Sequence, residues 1–546
     1  MGISNKLPQD LEEVDVIIAG GKWTRCHTNR TLSIPSACAN AASKHPGGTA
    51  ACVVAGRLAE SDPGLSILVI ERGRDNFNVP TIVNPVFAPA NLHPDMKMAI
   101  FYKGHRSEEL GGREPIVPSG GTLGGGSSIN FLMYTRAQRS DFDSWKAPGW
   151  GADELLPYLK KLETYHGPGS PAVHGDKGPV HVSDGTFRSE RVQTEFLDSA
   201  AQVFDVPKIA DLQDLDANDG VGPWLKTISP VTGRRQDAAH AYLHPKLRNM
   251  DSGEPTSEYP NLHVLTEHLA VRVLLEDCVD ATLPKGQYIG MGTYSAYPYS
   301  RGHVHITGPS VADPLDFETG FLKDEHDVDL KKLIWAYKKQ REVVRRMPSF
   351  RGEVASDHPR FPPGSKAACV RLAASPVPAE VRNIEYSDED DRAIEQWVRD
   401  HVDTTWHSLG TAKMAPLDQG GVVGPDLSVH GVQGLKVADL SIPPGNIGGN
   451  TCNTAFMIGE KAADIIIKEM RSARPKKAKF LEAFGLQAFD VQIRNVSHGL
   501  CSTRVRVVLS AGLTDEDACY AKNLLISDQV DIQDGISDRD ASYKEF

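Results

Sequence analysis

Two short stretches in the last third of the chain carry side chains that could move a proton. The first, TTWHSLGTAKM from Thr404 to Met414, sets His407 between a tryptophan and a glycine-containing turn. The second, GGNTCNTA from Gly448 to Ala455, sets Asn450 immediately ahead of an apolar, helix-like run. A histidine takes up a proton near neutral pH, and a neutral carboxamide can hold a hydroxyl without adding charge. A histidine beside a tryptophan is more often a satisfied core side chain than a base. What favours chemistry is that two loops, each opened by a turn, can bring His407 and Asn450 together.

Two glycine-rich segments have the character of a dinucleotide cradle. The apolar run Val14 to Ala19 (VDVIIA) suits a strand buried on both faces and ends in Gly20 and Gly21. A polar stretch without sustained periodicity follows, Lys22 to Pro46, and then Gly47, Gly48, Thr49, Ala50 and Ala51 open a small-residue helix. The next strand, Ser66 to Ile70, ends in Glu71. Joined across the gap, Gly20-Gly21-Gly48-Thr49-Ala50-Ala51 approximates G-x-G-x-x-G. Its glycines would let backbone approach a pyrophosphate, the helix N-terminus would supply N–H groups, and Glu71 would accept from ribose hydroxyls. Such turns are also built for plain close packing. Strand–helix connections usually take about 2 to 6 residues, so Lys22–Pro46 is expected to form an exposed, poorly ordered excursion.

The second segment, PSGGTLGGGSSIN from Pro118 to Asn130, holds too many glycines for a helix interior and forms a backbone ribbon able to lie along a flat or anionic ligand. Composition alone would allow a flexible linker, but its Leu and Ile, and the aromatic sequence after it, argue for a packed element.

The elements that must position these residues follow from periodicity. Asp153 to Tyr165, Asp329 to Met347, Asp388 to Val402 and Ala455 to Met470 read as helices, and Asn261 to Glu276 as two short strands with a turn. Tyr294 to Ile306 reads as a strand with alternating faces, His303 and His305 sharing one of them.

Composition bounds the possibilities. Lys and Arg total 59 against 71 Asp and Glu, a net charge of −12, which disfavours nucleic acid as partner. No apolar run is long enough for a membrane span, and the opening MGISNKLPQDLEEVD lacks the apolar core of a secretion signal. Eight scattered cysteines fit unpaired thiols in a reducing compartment, and no Cys/His spacing suggests zinc or another metal.

The sequence resembles the glucose–methanol–choline (GMC) flavin oxidoreductases, most closely their fungal alcohol oxidase branch. The resemblance is carried by GGTLGGGSSINFLMYTRAQRSDFDSW, PYSRGHVHITG, WHSLGTAKM, GLKVADLSIPP and GGNTCNTA, in the family's order. It implies an α/β fold: a Rossmann-like FAD-binding domain with a second, mainly antiparallel α+β substrate domain. The flavin domain would comprise 11–149 and 404–470, interrupted by 22–46, and the substrate domain 150–403, with 471–546 a tail of unknown structure. FAD rather than NAD would occupy the nucleotide site. Gly20, Gly21, Gly48, Thr49 and Ala50 would face its pyrophosphate, Glu71 the adenosine ribose, and Ala270 with Val271 the adenine. The ribbon, with Thr122, Gly124, Gly125, Ser127 and Asn130, would run along the flavin, with Tyr134 and Arg136 nearby and Asp439 towards the ribityl–pyrophosphate part. His407 would take the hydroxyl proton of a short-chain primary alcohol and Asn450 would hold the oxygen. Hydride would pass to flavin, and dioxygen would become hydrogen peroxide.

Two departures qualify this expectation. Lys22–Pro46 intrudes into the phosphate turn. After Leu274 the family's second signature is missing, and the chain jumps from Asp277 to a stretch at Gly286 that resembles a much later part of alcohol oxidases. Part of the flavin domain and much of the substrate domain would therefore be lacking, and an inactive homologue or defective gene product is the alternative reading. An NAD-dependent dehydrogenase would rest on the first turn alone. The C-terminal Tyr543–Phe546 is no peroxisomal S-K-L address. Cytoplasmic or peroxisomal residence and a possible homo-oligomer are expected.

Overall fold

The central strands of the sheet form where apolar residues dominate. In the computed structural model, which describes residues 3–4, 14–19, 22–25, 48–185, 188–216, 219–256, 258–266, 289–308, 313–373, 381–473, 507–509 and 532–534, six short strands make one sheet. In chain order they are β1 (Ile3–Ser4), β2 (Val16–Ala19), β3 (Lys22–Arg25), β4 (Ile67–Ile70), β5 (Leu262–Leu265) and β6 (Leu435–Val437). Their spatial order is β1-β5-β4-β2-β3-β6. The first four run parallel, Val16 lying opposite Ile67 and Leu262 opposite Ile67 from the other side. Val16, Ile18, Ile67, Val69, Leu262 and Val264 are buried on one face, and Val14, Leu68 and Leu265 pack together on the other. A parallel sheet covered on both sides needs such continuous apolar runs.

β3 departs from expectation. Lys22–Arg25 was expected to begin an exposed excursion, but these residues pair antiparallel with β2 on one side and β6 on the other. The physical reason is that a parallel strand at the edge of a sheet presents unpaired N–H and C=O groups, which the next stretch of chain can satisfy whatever its periodicity. Because β3 is antiparallel to both neighbours, β2 and β6 run parallel to each other with β3 wedged between them. The remainder of the intrusion, 26–46, lies outside the described residues.

Helix α1 (Thr49–Ser61) packs on β2 and β4, and α2 (Cys452–Ala473) packs on α1. The helices approach closely at Gly459, where a Cβ would stand 2.7 Å from Val53 Cβ and 3.0 Å from the Ala50 carbonyl oxygen. Next to it the fully buried Glu460 accepts from Arg57 Nη2 at 2.7 Å, Tyr242 Oη at 2.8 Å and Lys161 Nζ at 3.0 Å. A buried carboxylate needs such a set of partners.

Elsewhere the helices expected from periodicity form at Ala152–Leu162, Val328–Arg346 and Asp388–His401. The first stops short of Tyr165, because Glu163–Tyr165 is a strand parallel to Val180–Val182. Burial of Glu163 against Arg136 draws that segment out of the helix. Of the strand expected over 294–306, only His303–Ile306 forms, paired antiparallel with Leu315–Glu318. Ahead of it, the Tyr299 and Ser300 N–H groups donate to the Asp329 carboxylate at 2.9 and 2.8 Å and so leave no ladder to join. His303 and His305 do share a face, their rings 5.2 Å apart. Of the two strands expected over Asn261–Glu276, the first is β5, and the second lies outside the described residues.

Contacts divide the chain into two compact units, Met1–Arg25 with Ser36–Ile467, and Cys26–Pro35 with Lys468–Phe546. In the second, Val507–Leu509 and Ile532–Asp534 pair in parallel.

Candidate active site

The loop carrying His407 is laced to the segment leaving β6. Gly410, Ala412 and Met414 N–H groups donate to the Leu440, Ser441 and Ile442 carbonyls at 3.0, 2.8 and 2.8 Å. Within that loop Trp406 adopts a left-handed backbone, φ +62°. Its N–H donates to Thr404 Oγ1 at 2.9 Å. This unusual conformation for a bulky residue turns the indole outward onto Phe131, with ring centroids 5.5 Å apart.

Asn450 sits two residues before α2, and its Nδ2 lies 3.1 Å from His407 Nε2. The other imidazole nitrogen, Nδ1, lies 3.2 Å from Thr405 Oγ1. Tyr294 meets the imidazole edge-on with ring centroids 6.0 Å apart. His407 is half-buried, and loss of water holds its imidazole below its ordinary value. At neutral pH it therefore carries a lone pair rather than a charge.

The glycine ribbon and the start of α1 meet as one surface. Gly125 has φ +56°, and a Cβ there would stand 2.8 Å from Gly48 Cα, so only glycine permits the approach. Thr49 Oγ1 donates to the Gly124 carbonyl at 3.1 Å and receives the Ser127 N–H at 3.3 Å. Gly48 opens α1 with no side-chain cap, and a Cβ placed on it would meet nothing within 4 Å. No side chain among the described residues caps the first-turn N–H groups of α1. Ala50 is buried behind them, and Thr122 is held by its hydroxyl on the Arg74 carbonyl at 2.8 Å. Below the ribbon, Asn76 Nδ2 bridges Ser128 Oγ and Asp237 Oδ1, both at 3.0 Å.

Glu71 follows directly on β4 and is 1% exposed. Its Oε1 accepts the Gly73 N–H, while its Oε2 is buried without a partner among the described residues. Burial pushes the carboxyl up to about 8. At the start of α2, both side-chain polar atoms of the buried Asn453, and Thr454 Oγ1, are likewise unpartnered. Asn130 Oδ1 at the far end of the ribbon accepts from Arg235 Nη1 at 2.7 Å.

The sequence models of the GMC oxidoreductase family match residues 14–281 and 298–459. The chain is 32% identical to the alcohol oxidase of Pichia angusta, over 78% of this chain and 94% of that protein. It is 28% identical to the oxygen-dependent choline dehydrogenase of Brucella canis, over 80% and 96% respectively. The crystal structure of pyridoxine 4-oxidase from Mesorbium loti superposes with a TM-score of 0.57 at 20% identity, covering 77% of this chain and 97% of that one. The chain belongs to the GMC oxidoreductase family. Its fold is the GMC fold, α/β and begun by a parallel sheet, and the family is one of FAD enzymes acting on CH–OH donors. An alignment of 628 residues that takes in 78% of a 546-residue chain must carry long gaps on this side.

The described residues fit FAD. A buried, unpartnered Glu71 oxygen suits a ribose hydroxyl donor, and uncapped N–H groups at Gly48–Ala50 suit a pyrophosphate. The backbone at Gly124–Gly126, free of side chains, suits a flat ring, while Gly126–Ile129 forms a helical turn where a ribbon was expected. Asp439 is half-buried and takes the Ser441 N–H at 2.9 Å. Tyr134 differs from its neighbours: its hydroxyl donates to Glu163 and receives Arg136 Nε at 3.2 Å inside a buried ion network, not at an open surface. Gly20, Gly21, Ala270 and Val271 lie outside the described residues. Reasoning from sequence missed Thr135, Thr405 and Tyr294. Thr135 could have been found by strand alternation, since a buried Tyr134 turns its successor towards the opposite side. Among the described residues no cluster of three or more side chains could hold a metal, and no helix is long and apolar enough to cross a membrane.

Proposed function

We propose that this site oxidises a short-chain primary alcohol to the aldehyde and passes the electrons through FAD to dioxygen, giving hydrogen peroxide. The observation that carries the reading is the 3.1 Å contact of His407 Nε2 with Asn450 Nδ2, with the Tyr294 ring edge-on to the imidazole. His407, neutral through burial, takes the hydroxyl proton at Nε2. The Asn450 carboxamide donates to the oxygen as it gains alkoxide character. Gly48, Thr49, Ala50, Glu71 and the ribbon from Thr122 to Asn130 hold the cofactor, with Gly20, Gly21, Ala270, Val271 and Asp439 assigned to it by the resemblance, whereas Tyr134 is engaged elsewhere. FAD, when bound, supplies the hydride acceptor and the route to dioxygen. In this reading 11–149 and 404–470 form the flavin domain and 150–403 a shortened substrate domain. The relatives named alcohol oxidases favour a small alcohol, and residence in the cytoplasm or peroxisome accompanies that reading.

A second reading, an inactive homologue, is favoured by β3, which occupies the sheet position beside the phosphate turn, and by the long gaps against the relatives. Flavin content separates the two. The purified protein, incubated with FAD and desalted, should show the visible bands of oxidised flavin, and anaerobic ethanol or methanol should bleach them. Bound flavin that no primary alcohol bleaches would overturn the first reading. Failure to retain flavin at all would establish the second.

A further inference from the structure

Asn450 is held from behind by a side chain to which the reaction as described gives no part. The Asn450 backbone N–H donates to Thr135 Oγ1 at 2.7 Å, and Thr135 Oγ1 lies 3.0 Å from Asn450 Oδ1. A threonine hydroxyl has one hydrogen. Since the backbone N–H already donates to its oxygen, that hydrogen is free to go to the amide oxygen. We propose that Thr135 is the positioning residue that orients the Asn450 carboxamide and thereby sets the tautomer of His407.

The chain of consequences runs in one direction. With Oδ1 engaged by Thr135, Nδ2 must face His407 Nε2. An NH₂ group can only donate, so Nε2 presents its lone pair. The imidazole proton then sits on Nδ1, from which it donates to Thr405 Oγ1 at 3.2 Å. This is the tautomer in which Nε2, the nitrogen beside Asn450, is the base. Turning the amide over would bring two N–H donors onto Thr135 Oγ1. The threonine hydrogen would be left the Asn450 carbonyl oxygen at 3.5 Å, about the limit of a hydrogen bond. Nε2 would then have to be protonated to donate to Oδ1, and the base would be lost.

Thr135 can play this part because its neighbours are fixed. Tyr134 and Arg136 are 2% and 1% exposed and locked to the fully buried Glu163. The backbone between them cannot rotate the hydroxyl away without breaking that network.

The inference rests on the proposed function only for its kinetic consequence. Its test begins on the cofactor-free full chain, labelled with ¹⁵N-histidine, with the His407→Ala spectrum assigning the resonance. Wild type should show the Nδ1–H tautomer; Nε2–H in wild type would overturn the proposal without any variant. Thr135→Val should shift His407 towards Nε2–H, whereas Thr135→Ser, which keeps the hydroxyl, should keep the wild-type tautomer. An unchanged tautomer in Thr135→Val, or a shift in Thr135→Ser equal to that in Thr135→Val, would overturn it. In flavin-loaded protein, Thr135→Val should slow alcohol-dependent flavin reduction by roughly 10- to 1,000-fold, short of the full cost of a wrong tautomer. If the tautomer moves as stated while wild type shows no flavin reduction, the positioning role stands and the alcohol oxidase reading falls.

Discussion

At the scale of single residues, burial decides which form of each titrating group is present. For His407 it disfavours the cation, so the basic form persists to lower pH than for a free imidazole. In flavin-loaded protein the acid limb of alcohol-dependent flavin reduction should therefore lie below the usual imidazole range, about 6.5. His407→Ala should slow that reduction by ~10²–10⁴-fold and abolish the limb. A pH profile that is the same in wild type and variant would remove His407 from the proton transfer. For Glu71 burial disfavours the anion, raising its carboxyl to about 8. The unfolded chain then ionises Glu71 first, so the cofactor-free protein should lose stability as pH rises from about 4.3 through about 8, and change little in this respect beyond. Glu71→Gln should flatten the melting temperature over that window and weaken FAD binding. A pH dependence unaltered by the substitution would place the titration elsewhere.

At the scale of elements, most of what sequence reveals is what periodicity encodes. Val16–Ala19, Thr49–Ser61, Ile67–Ile70 and Cys452–Ala473 stand close to where apolar patterning puts them, because each is buried by its own residues. β3 was not legible, since its place is set by the hydrogen-bonding needs of its neighbours rather than by its own pattern. The same holds for the end of the helix at Leu162, fixed by an ion pair with a residue 27 positions earlier. In the candidate site, residue type and turn chemistry pointed to His407, Asn450, Glu71 and the glycine ribbon but left their roles open until the family resemblance assigned them, while Thr135 acts through one hydroxyl and leaves little trace in composition. The wedge makes a direct prediction. Deleting Lys22–Pro46 should let β6 lie beside β2 in parallel and join the two halves of the phosphate turn. FAD affinity, followed by quenching of flavin fluorescence, should rise; unchanged or weaker binding would count against the joined turn. The contact of α1 with α2 makes another. Glu460→Ala leaves Arg57 and Lys161 without their buried partner, and should cost about 3 kcal/mol in denaturant unfolding. That is the low end for breaking a buried pair, because both cations keep some access to water. A loss below about 0.5 kcal/mol would show that α1 and α2 are held by packing alone.

At the scale of the whole molecule, the parts of the proposed oxidase site are present but the sheet that carries them is interrupted, and the expected outcome is little steady-state alcohol oxidase turnover in the chain as it stands, even where alcohol bleaches bound flavin in the absence of oxygen. The pair proposed as catalytic is in contact, and the ribbon touches the start of α1. Turnover asks for more: cofactor, substrate and His407 must be held together, and a misplacement of about 1 Å already costs about 10²-fold. β3 separates β2 from β6, the two strands whose ends lead to the phosphate turn and to the His407 loop. The resemblance implies a second signature after Leu274 that would supply backbone beside the cofactor, and the sequence there does not carry it. Each lesion alone would lower turnover, and because both act on the same geometry their effects should not be additive. Peroxide formation from methanol and ethanol, with FAD supplied, measures this directly. Turnover near one per second or faster, in the ordinary range of enzymes, with stoichiometric flavin would show that the sheet tolerates the wedge and that the missing segment is dispensable. Loss of turnover in the full chain, with its return on removing Lys22–Pro46, would instead locate the defect at the phosphate turn.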